Sequence, residues 1–455
     1  MIDNSDPVAS VVLGVTVIFF FAIVGRYLAR CLNQPGVLGE LLMGVLVGNL
    51  AYLCGSQLVV VLREGSSIFD VVKYMLGGAS VTQAVSSVVA NPYYSQQLTQ
   101  ALSGSHGTEL LKIAYVVDIL SRYGVIFLLF MVGLESSVDE LKHTGKESIV
   151  VALIGVIAPM LLGFGVAYLL LPGSSYQTDL FVAATLSATS IGITARVLSE
   201  MNKLRTREAR TILGAAMLDD ILGLIILAVV SSVVLSGTVD VPMVVRIIIA
   251  SLLFFVGVLF LGPPVLRKAI YWLRFLEPWE AKLFIAFLFV MTLSWLAAFV
   301  HLATIIGAFA AGVILHDGYF NAQESFQEER SIQHLVSPLE SILAPIFFMV
   351  VGIQVKLETF YNWHVIVLSI GLVVAAILGK LVSGLGANAK DDRLLVGIGM
   401  LPRGEVGLVF ASIGRTLGVI SDDLFASIVL MVMVTTFIAP PALKARYAKK
   451  MEAKI

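Results

Sequence analysis

The segment Ala215-Ala-Met-Leu-Asp-Asp-Ile-Leu-Gly-Leu-Ile-Ile-Leu-Ala-Val-Val230 places two adjacent carboxylates, Asp219 and Asp220, inside an otherwise apolar run. A charge at the centre of a membrane helix costs roughly 2.5–3.5 kcal/mol on insertion scales. Two in succession therefore mark an ion or proton path, or a catalytic site.

Composition places the pair in a membrane protein. Of 455 residues, 58% are hydrophobic and 13% are charged, whereas soluble domains carry about 25% charged residues. Apolar runs long enough to span a bilayer recur along the chain. The net charge of −1 comes with no basic face, so no nucleic-acid partner is expected. Cys31 and Cys54 flank one apolar span. A 20-residue helix is about 30 Å long, so they cannot pair within it. The N-terminus, Met1-Ile-Asp-Asn-Ser-Asp-Pro7, is acidic and lacks a positive leader segment, so the first apolar stretch reads as a retained helix.

The pattern predicts spans over 8–30, 36–54, 110–135, 147–171, 179–199, 207–237, 243–266, 280–300, 302–316, 334–355, 363–386, 393–415 and 420–443. Basic residues collect after the odd-numbered spans: Arg26 and Arg30; Lys142 and Lys146; Lys203, Arg205, Arg207 and Arg210; Arg267, Lys268, Arg274 and Lys282; Arg330; Lys390 and Arg393; and the tail Lys444, Arg446, Lys449, Lys450 and Lys454. The intervening loops 172–179 and 236–240 contain no Lys or Arg. The positive-inside rule then puts the N-terminus outside and the C-terminus in the cytoplasm. Residues 55–109 fit neither a hairpin loop nor an ordinary span, and read as an external loop with an interfacial or surface helix.

Two pairs of segments repeat. Ile126-Phe-Leu-Leu-Phe-Met-Val-Gly-Leu-Glu135 resembles Ile346-Phe-Phe-Met-Val-Val-Gly-Ile-Gln354, and Val37-Leu-Gly-Glu-Leu-Leu-Met-Gly-Val-Leu46 resembles Ile305-Ile-Gly-Ala-Phe-Ala-Ala-Gly-Val-Ile314. Both matches lie seven predicted spans apart. An odd offset makes the copies cross in opposite directions, as in the inverted-topology repeats of secondary transporters. The fold class that follows is an all-α polytopic membrane protein. It has about 13 transmembrane helices in two inverted repeats of six spans, joined by a linker helix, with two crossed discontinuous helices.

Four polar groups interrupt the apolar spans: Asp219-Asp220; Ala188-Thr-Ser-Ile-Gly-Ile-Thr194; Lys380 in Ile377-Leu-Gly-Lys-Leu-Val-Ser383; and Pro402-Arg-Gly-Glu-Val-Gly407. The second and fourth are again seven spans apart, and each has a centre where a helix can unwind. Unwound backbone survives in a membrane only where protein or a water cavity satisfies it. Arg403 and Glu405 suit the neutralisation of opposing half-helix dipoles, while Thr189, Ser190 and freed carbonyls offer hard oxygen ligands to a cation. Adjacent helical residues point about 100° apart, so one aspartate can meet Lys380 while the other faces a water-filled cavity. A buried carboxylate that takes either a proton or a metal cation is the minimal chemistry of a cation/proton exchanger.

Structural readings stand beside these. Lys380 can snorkel to an interface, Thr189 and Ser190 can serve as small packing residues, and Arg403 and Glu405 can be purely structural. The histidines sit at span ends and loops, with His301 and His316 open as pH sensors. No P-loop, Gly-x-Gly-x-x-Gly nucleotide fold, Cys/His metal cluster or Ser–His–Asp pattern occurs, so neither a cofactor nor enzymatic activity is expected. An intramembrane aspartyl protease would need a Gly-x-Gly-Asp context, which is missing. Carboxylates beside a lysine also suit stoichiometric exchange better than channel conduction.

The segments Gln34-Pro-Gly-Val-Leu-Gly-Glu-Leu-Leu-Met-Gly44, Phe127–Glu135, Ser187–Thr194, Leu218-Asp-Asp-Ile-Leu-Gly223 and Pro402-Arg-Gly-Glu-Val-Gly-Leu408 resemble the signatures of the monovalent cation:proton antiporter-2 family, most of all its paired-aspartate bacterial sodium/proton antiporters. The resemblance covers nearly the whole chain. It implies a homodimer in an inner (plasma) membrane, with an internal membrane as the alternative, exchanging Na+ for H+, or K+ for H+ in the near alternative. It implies dimerisation-side spans in 1–146 and 279–356, core spans in 147–237 and 357–455, and a linker helix over 238–278. Asp220 would carry Na+ and H+, Asp219 would pair with Lys380, and transport would be electrogenic. The chain departs from the family pattern in its long insertion 55–109. The nucleotide-binding regulatory domain of related glutathione-gated potassium systems is not expected, because the sequence stops shortly after its last span.

Overall fold

The computed structural model describes residues 8–32, 34–65, 67–89, 91–135, 145–201, 203, 206–236, 241–273, 275–300, 302–321 and 330–452, all helix and connecting turns without a strand. Of the expectations above, those resting on Lys142, Arg205, Arg274, Lys454 and His301 lie outside the described residues.

The helices are α1 (Ala9–Cys31), α2 (Gly36–Leu53), α3 (Gln57–Arg63), α4 (Ser67–Leu76), α5 (Val81–Val88), α6 (Pro92–Ser103), α7 (Gly107–Glu135), α8 (Lys146–Leu170), α9 (Tyr176–Thr185) and α10 (Ile191–Glu200). They continue as α11 (Arg207–Ser236), α12 (Val241–Trp272), α13 (Pro278–Phe299), α14 (Thr304–Ile314), α15 (Gly318–Asn321), α16 (Ile332–Ile353), α17 (Trp363–Ser383), α18 (Arg393–Gly399), α19 (Glu405–Thr416) and α20 (Asp422–Glu452). Among the described residues, 10 helices are long and apolar enough to cross a membrane: α1, α2, α7, α8, α11, α12, α13, α16, α17 and α20. The three other expected spans are short or broken. Segment 302–316 becomes the 11-residue α14. Segments 179–199 and 393–415 each split into two half-helices, α9/α10 and α18/α19, around Leu186–Ser190 and Met400–Gly404.

The chain divides into two compact units, Met1–Val125 with Ser341–Tyr361, and Ile126–Glu340 with Asn362–Ile455. In the first, segment 55–109 is more than a loop with one helix. Its four short helices α3–α6 carry Val61, Ile68, Val71, Ala84, Val85 and Leu98 into one core with Ile346 and Met349. Local chemistry cuts the segment into short pieces. Gly65 and Gly78 take positive φ between helices, Ser80 and Gln83 form a reciprocal capping box on α5, and Asn91 caps α6 ahead of Pro92.

Two charged pairs tie the insertion to the turn after α16. Arg63 donates from Nη1 and Nη2 to the two oxygens of Glu358 at 2.8 and 2.9 Å and from Nη2 to Asn49 at 2.6 Å. Its guanidinium also stacks 4.0 Å from the Tyr52 ring centre. One residue on, Glu64 accepts from Lys356 Nζ at 2.9 Å, and that ammonium lies 3.5 Å from the Tyr94 ring centre. The Glu64–Lys356 pair is buried; such a pair adds little relative to apolar packing, but losing one partner leaves an uncompensated charge at a cost of about 3–5 kcal/mol.

Glycines set the closest helix contacts. In the first unit, a Cβ on Gly44 would lie 3.0 Å from the Cα of Gly352; in the second, one on Gly133 would lie 3.0 Å from the Cα of Gly312. These four glycines are the shared positions of the two repeated motifs. α8 and α17 also touch through backbone, since a Cβ on Gly379 would come within 2.6 Å of Pro159 Cα. Small residues permit this approach, and contact of this kind drives helix association in lipid.

The last turns of α20 fasten the start of α11 to the start of α18. Arg446 forks onto Asp392, the N-cap of α18, at 2.9 and 3.0 Å. Lys450 pairs with Glu208, and the Tyr447 hydroxyl lies 3.1 Å from that of Thr206. Leu443 and Tyr447 pack with Val197, Leu198, Ala209 and Leu395 beneath these bonds.

Two outcomes follow. Lys356→Met should lower stability by roughly 3 kcal/mol because Glu64 stays buried without its cation, and adding Glu64→Leu should restore most of the loss. Thermal unfolding of the detergent-solubilised protein checks this; no rescue in the double variant would contradict it. Burial favours the protonated form of Asp392, but the Arg446 bonds, the Leu395 N–H and Lys450 outweigh it and hold its carboxyl below the usual range. A carboxyl depressed by folding contributes stability above its unfolded value of about 3.9 and loses it as pH falls through the lower folded value. Asp392→Asn, which can still cap α18, should therefore be less stable than wild type at neutral pH, with the gap closing below about pH 4. A gap independent of pH would contradict the charge assignment.

Candidate ion-binding site

The paired aspartates sit mid-way along α11, the 30-residue helix Arg207–Ser236. Alanine, leucine and isoleucine around them favour helix, and Gly214 and Gly223 are buried on the same helix. Asp219 is 0% and Asp220 3% exposed. Lys380, on α17, is also fully buried, and its Nζ donates to both oxygens of Asp219 at 3.1 and 3.2 Å. Lys380 therefore does not snorkel. Gly155 of α8 lies beside the ammonium, where an added Cβ would stand 3.6 Å from Nζ. The Asp220 charge also acts on Lys380.

The two broken helices meet beside this pair. The Ser190 N–H donates to the Pro402 carbonyl at 2.8 Å. Thr194 donates to the Gly399 carbonyl at 2.8 Å, and Thr189 more weakly to Met400 at 3.4 Å. The Thr189 hydroxyl lies alongside Asp219 as well. Each break thus answers the other's freed backbone groups, as buried irregular backbone requires. Only glycine fits at 404, where a Cβ would come within 2.7 Å of Ser190 Oγ. Gly404 immediately precedes α19, as Ser190 precedes α10.

Arg403 is fully buried at the crossing. Its Nη1 donates to the Ala188 carbonyl at 2.8 Å, and its own carbonyl accepts from Thr436 on α20. Nε and Nη2 have no hydrogen-bond partner among the described residues, while the charge acts on Asp219. Glu405 opens α19, and its side chain lies outside the described residues.

The arrangement gathers Asp219, Asp220, Lys380, Thr189, Ser190 and Arg403 in one unit. Two contributors escaped the sequence reading. Thr194 stood in the quoted motif as a bystander, and Thr436 was part of an apolar final span whose Thr435-Thr436 pair was the available signal. Hydroxyl, carbonyl and carboxylate oxygens are the donor set of hard cations, and here the Thr189 hydroxyl and the two breaks lie next to a carboxylate already paired with Lys380.

Comparison with known proteins identifies the family. Residues 16–447 match the family model described as sodium/hydrogen exchanger, transmembrane. The high-affinity Na(+)/H(+) antiporter NhaS3 of Synechocystis is 35% identical across 98% of this chain and 92% of its own length. The Na(+)/H(+)-K(+) antiporter GerN of Bacillus cereus is 34% identical over 73% of this chain and 84% of its own. The sodium proton antiporter MjNhaP1 of Methanocaldococcus jannaschii shares the fold, with a TM-score of 0.59 at 17% identity over 97% of this chain and 98% of that one. A buried, ion-paired carboxylate at crossed half-helices and a match across nearly the whole length lead to one conclusion: the chain belongs to the transmembrane sodium/hydrogen exchanger family.

Proposed function

We propose that this protein is a secondary antiporter that exchanges Na+ for H+ by alternating access, with both ions competing for the buried aspartates. The carrying observation is the Lys380–Asp219 pair, fully buried, with Asp220 next in sequence at the meeting of two broken helices. Asp220 is the ion carrier, and Thr189, Ser190 and the freed carbonyls complete its oxygen shell. Na+ reaching Asp220 competes with Lys380 for the carboxylates; protons reverse the exchange. The pair thereby links cation binding to proton binding and makes transport electrogenic.

In this reading, Arg403 and Glu405 offset the half-helix dipoles. Gly44 against Gly352 and Gly133 against Gly312 support an inverted repeat, because each contact joins one motif to the copy of the other. The working unit is a homodimer in a bilayer, N-terminus outside and C-terminus cytoplasmic. Core spans α8–α11 and α17–α20 move, and the spans before α8 and from α13 to α16 form the dimerisation side. K+ is the second cation to test, because a relative over most of the chain carries both Na+ and K+ in its name. The reaction is transport with no chemical conversion.

Asp220→Asn keeps the volume and removes the charge. Sodium-driven proton movement in proteoliposomes should fall to background while expression and dimerisation persist; robust exchange would remove Asp220 from the carrier role. Lys380→Gln removes the ammonium bonded to Asp219 and should cost up to roughly 3 kcal/mol of stability. Residual exchange should move less charge per proton, read as current on a solid-supported membrane against pH-gradient dissipation. Unchanged stability and an unchanged ratio would show that Lys380 is not the coupling partner.

A further inference from the structure

Arg403 carries more buried hydrogen-bonding capacity than its surroundings use. Its guanidinium is 0% exposed, yet only Nη1 is engaged, by Ala188, while Nε and Nη2 remain without partners among the described residues. Buried donors are nearly always satisfied, and those that are not call for a reason. A dipole-compensating role would be met by the Ala188 bond alone. The cost of two idle donors is sensible if they are used in another state of the site.

The charges around the crossing suggest which state. Asp219 on α11 bonds Lys380 on α17 and lies in the field of Arg403 on the second broken helix, with Asp220 next in sequence, and two carboxylates against two cations leave the group near neutral. A bound Na+ adds a charge and competes with Lys380. When Lys380 lets go, Asp219 would become a buried carboxylate without a counter-ion and would take a proton. That proton would uncouple the exchange, because Asp219 would then follow the pH instead of the cation. A guanidinium does not give up its proton in proteins, and its fork can hold a carbonyl and a carboxylate together.

We propose that Arg403 is a positioning residue for the exchange: the reserve counter-ion that holds Asp219 ionised while Lys380 is disengaged. This inference rests on the sodium/proton reading above. Ala188 fixes the guanidinium at the break, and Nε and Nη2 are the donors that receive Asp219. Glycine at 404 and the Thr436 bond to the Arg403 carbonyl hold this stretch of backbone close against the partner break.

The test is the pH profile of Na+-driven exchange in proteoliposomes for wild type, Asp220→Asn, Arg403→Gln and Arg403→Lys, with unfolding temperature measured alongside. Without a reserve cation Asp219 keeps its proton to higher pH. Arg403→Gln should therefore begin to exchange at least one pH unit above wild type, with about tenfold weaker apparent Na+ affinity at neutral pH. Arg403→Lys should begin where wild type does, because it retains the charge. It should fail at the alkaline end, because an ammonium can discharge where a guanidinium cannot. If Arg403→Gln does not fold, the alkaline limit of Arg403→Lys decides alone. Lowered stability with a wild-type pH profile in the folded variants would overturn the proposal and leave Arg403 a structural brace. Absence of exchange in wild type would instead overturn the transport reading.

Discussion

An ammonium and a carboxylate, both withdrawn from solvent and 3.1 Å apart, are the constraint on which the rest of the core depends. Neither group is tolerable in an apolar interior alone. α11 and α17 must therefore stay in register, with Gly155 of α8 beside the ammonium. Polar, broken backbone nearby is then an asset. The half-helices α9/α10 and α18/α19 satisfy each other's freed carbonyls through Ser190, Thr194 and Arg403, and bring Thr189 and Arg403 to Asp219. In the proposed exchange, the marginal balance of this pair is what lets an arriving cation compete with it.

The charged pairs described above do two kinds of work. At the insertion, Arg63–Glu358 and Glu64–Lys356 join chain segments nearly 300 residues apart, and aromatic rings cover both cations. At the far end of α20, Arg446 and Lys450 bind Asp392 and Glu208, the entrances to the second broken helix and to the aspartate helix. Both clusters fix the ends of helices. The Asp219–Lys380 pair, in contrast, joins the middle of α11 to the last turn of α17 with both charges fully buried, where an ion pair is costly enough to need a use.

The sequence exposed the site because membrane burial makes charge conspicuous. Asp219, Asp220 and Lys380 stood out against apolar runs, and the Thr-Ser-Ile-Gly and Pro-Arg-Gly-Glu stretches announced their own breaks. The insertion was not legible in the same way. Its helices are short, their apolar faces are met by residues such as Ile346 and Met349 far along the chain, and no local periodicity says so. Arg446 and Lys450 were also read only as orientation charges. Counting basic residues gives a side of the membrane, but not that a guanidinium forks onto a helix cap at Asp392. Thr436 illustrates the same limit, since a hydroxyl in an apolar span gives no hint that its acceptor is a carbonyl 33 residues earlier.

In the proposed exchange, Na+ and protons are alternatives at one set of buried carboxylates. The most direct measurement is equilibrium binding of Na+ to the purified protein across a series of pH values, with Li+ and K+ in parallel. Competition with one proton predicts apparent Na+ affinity weakening about tenfold for each unit that pH falls, and more steeply if two protons are displaced. An Na+ affinity that stays constant across that range would contradict the account.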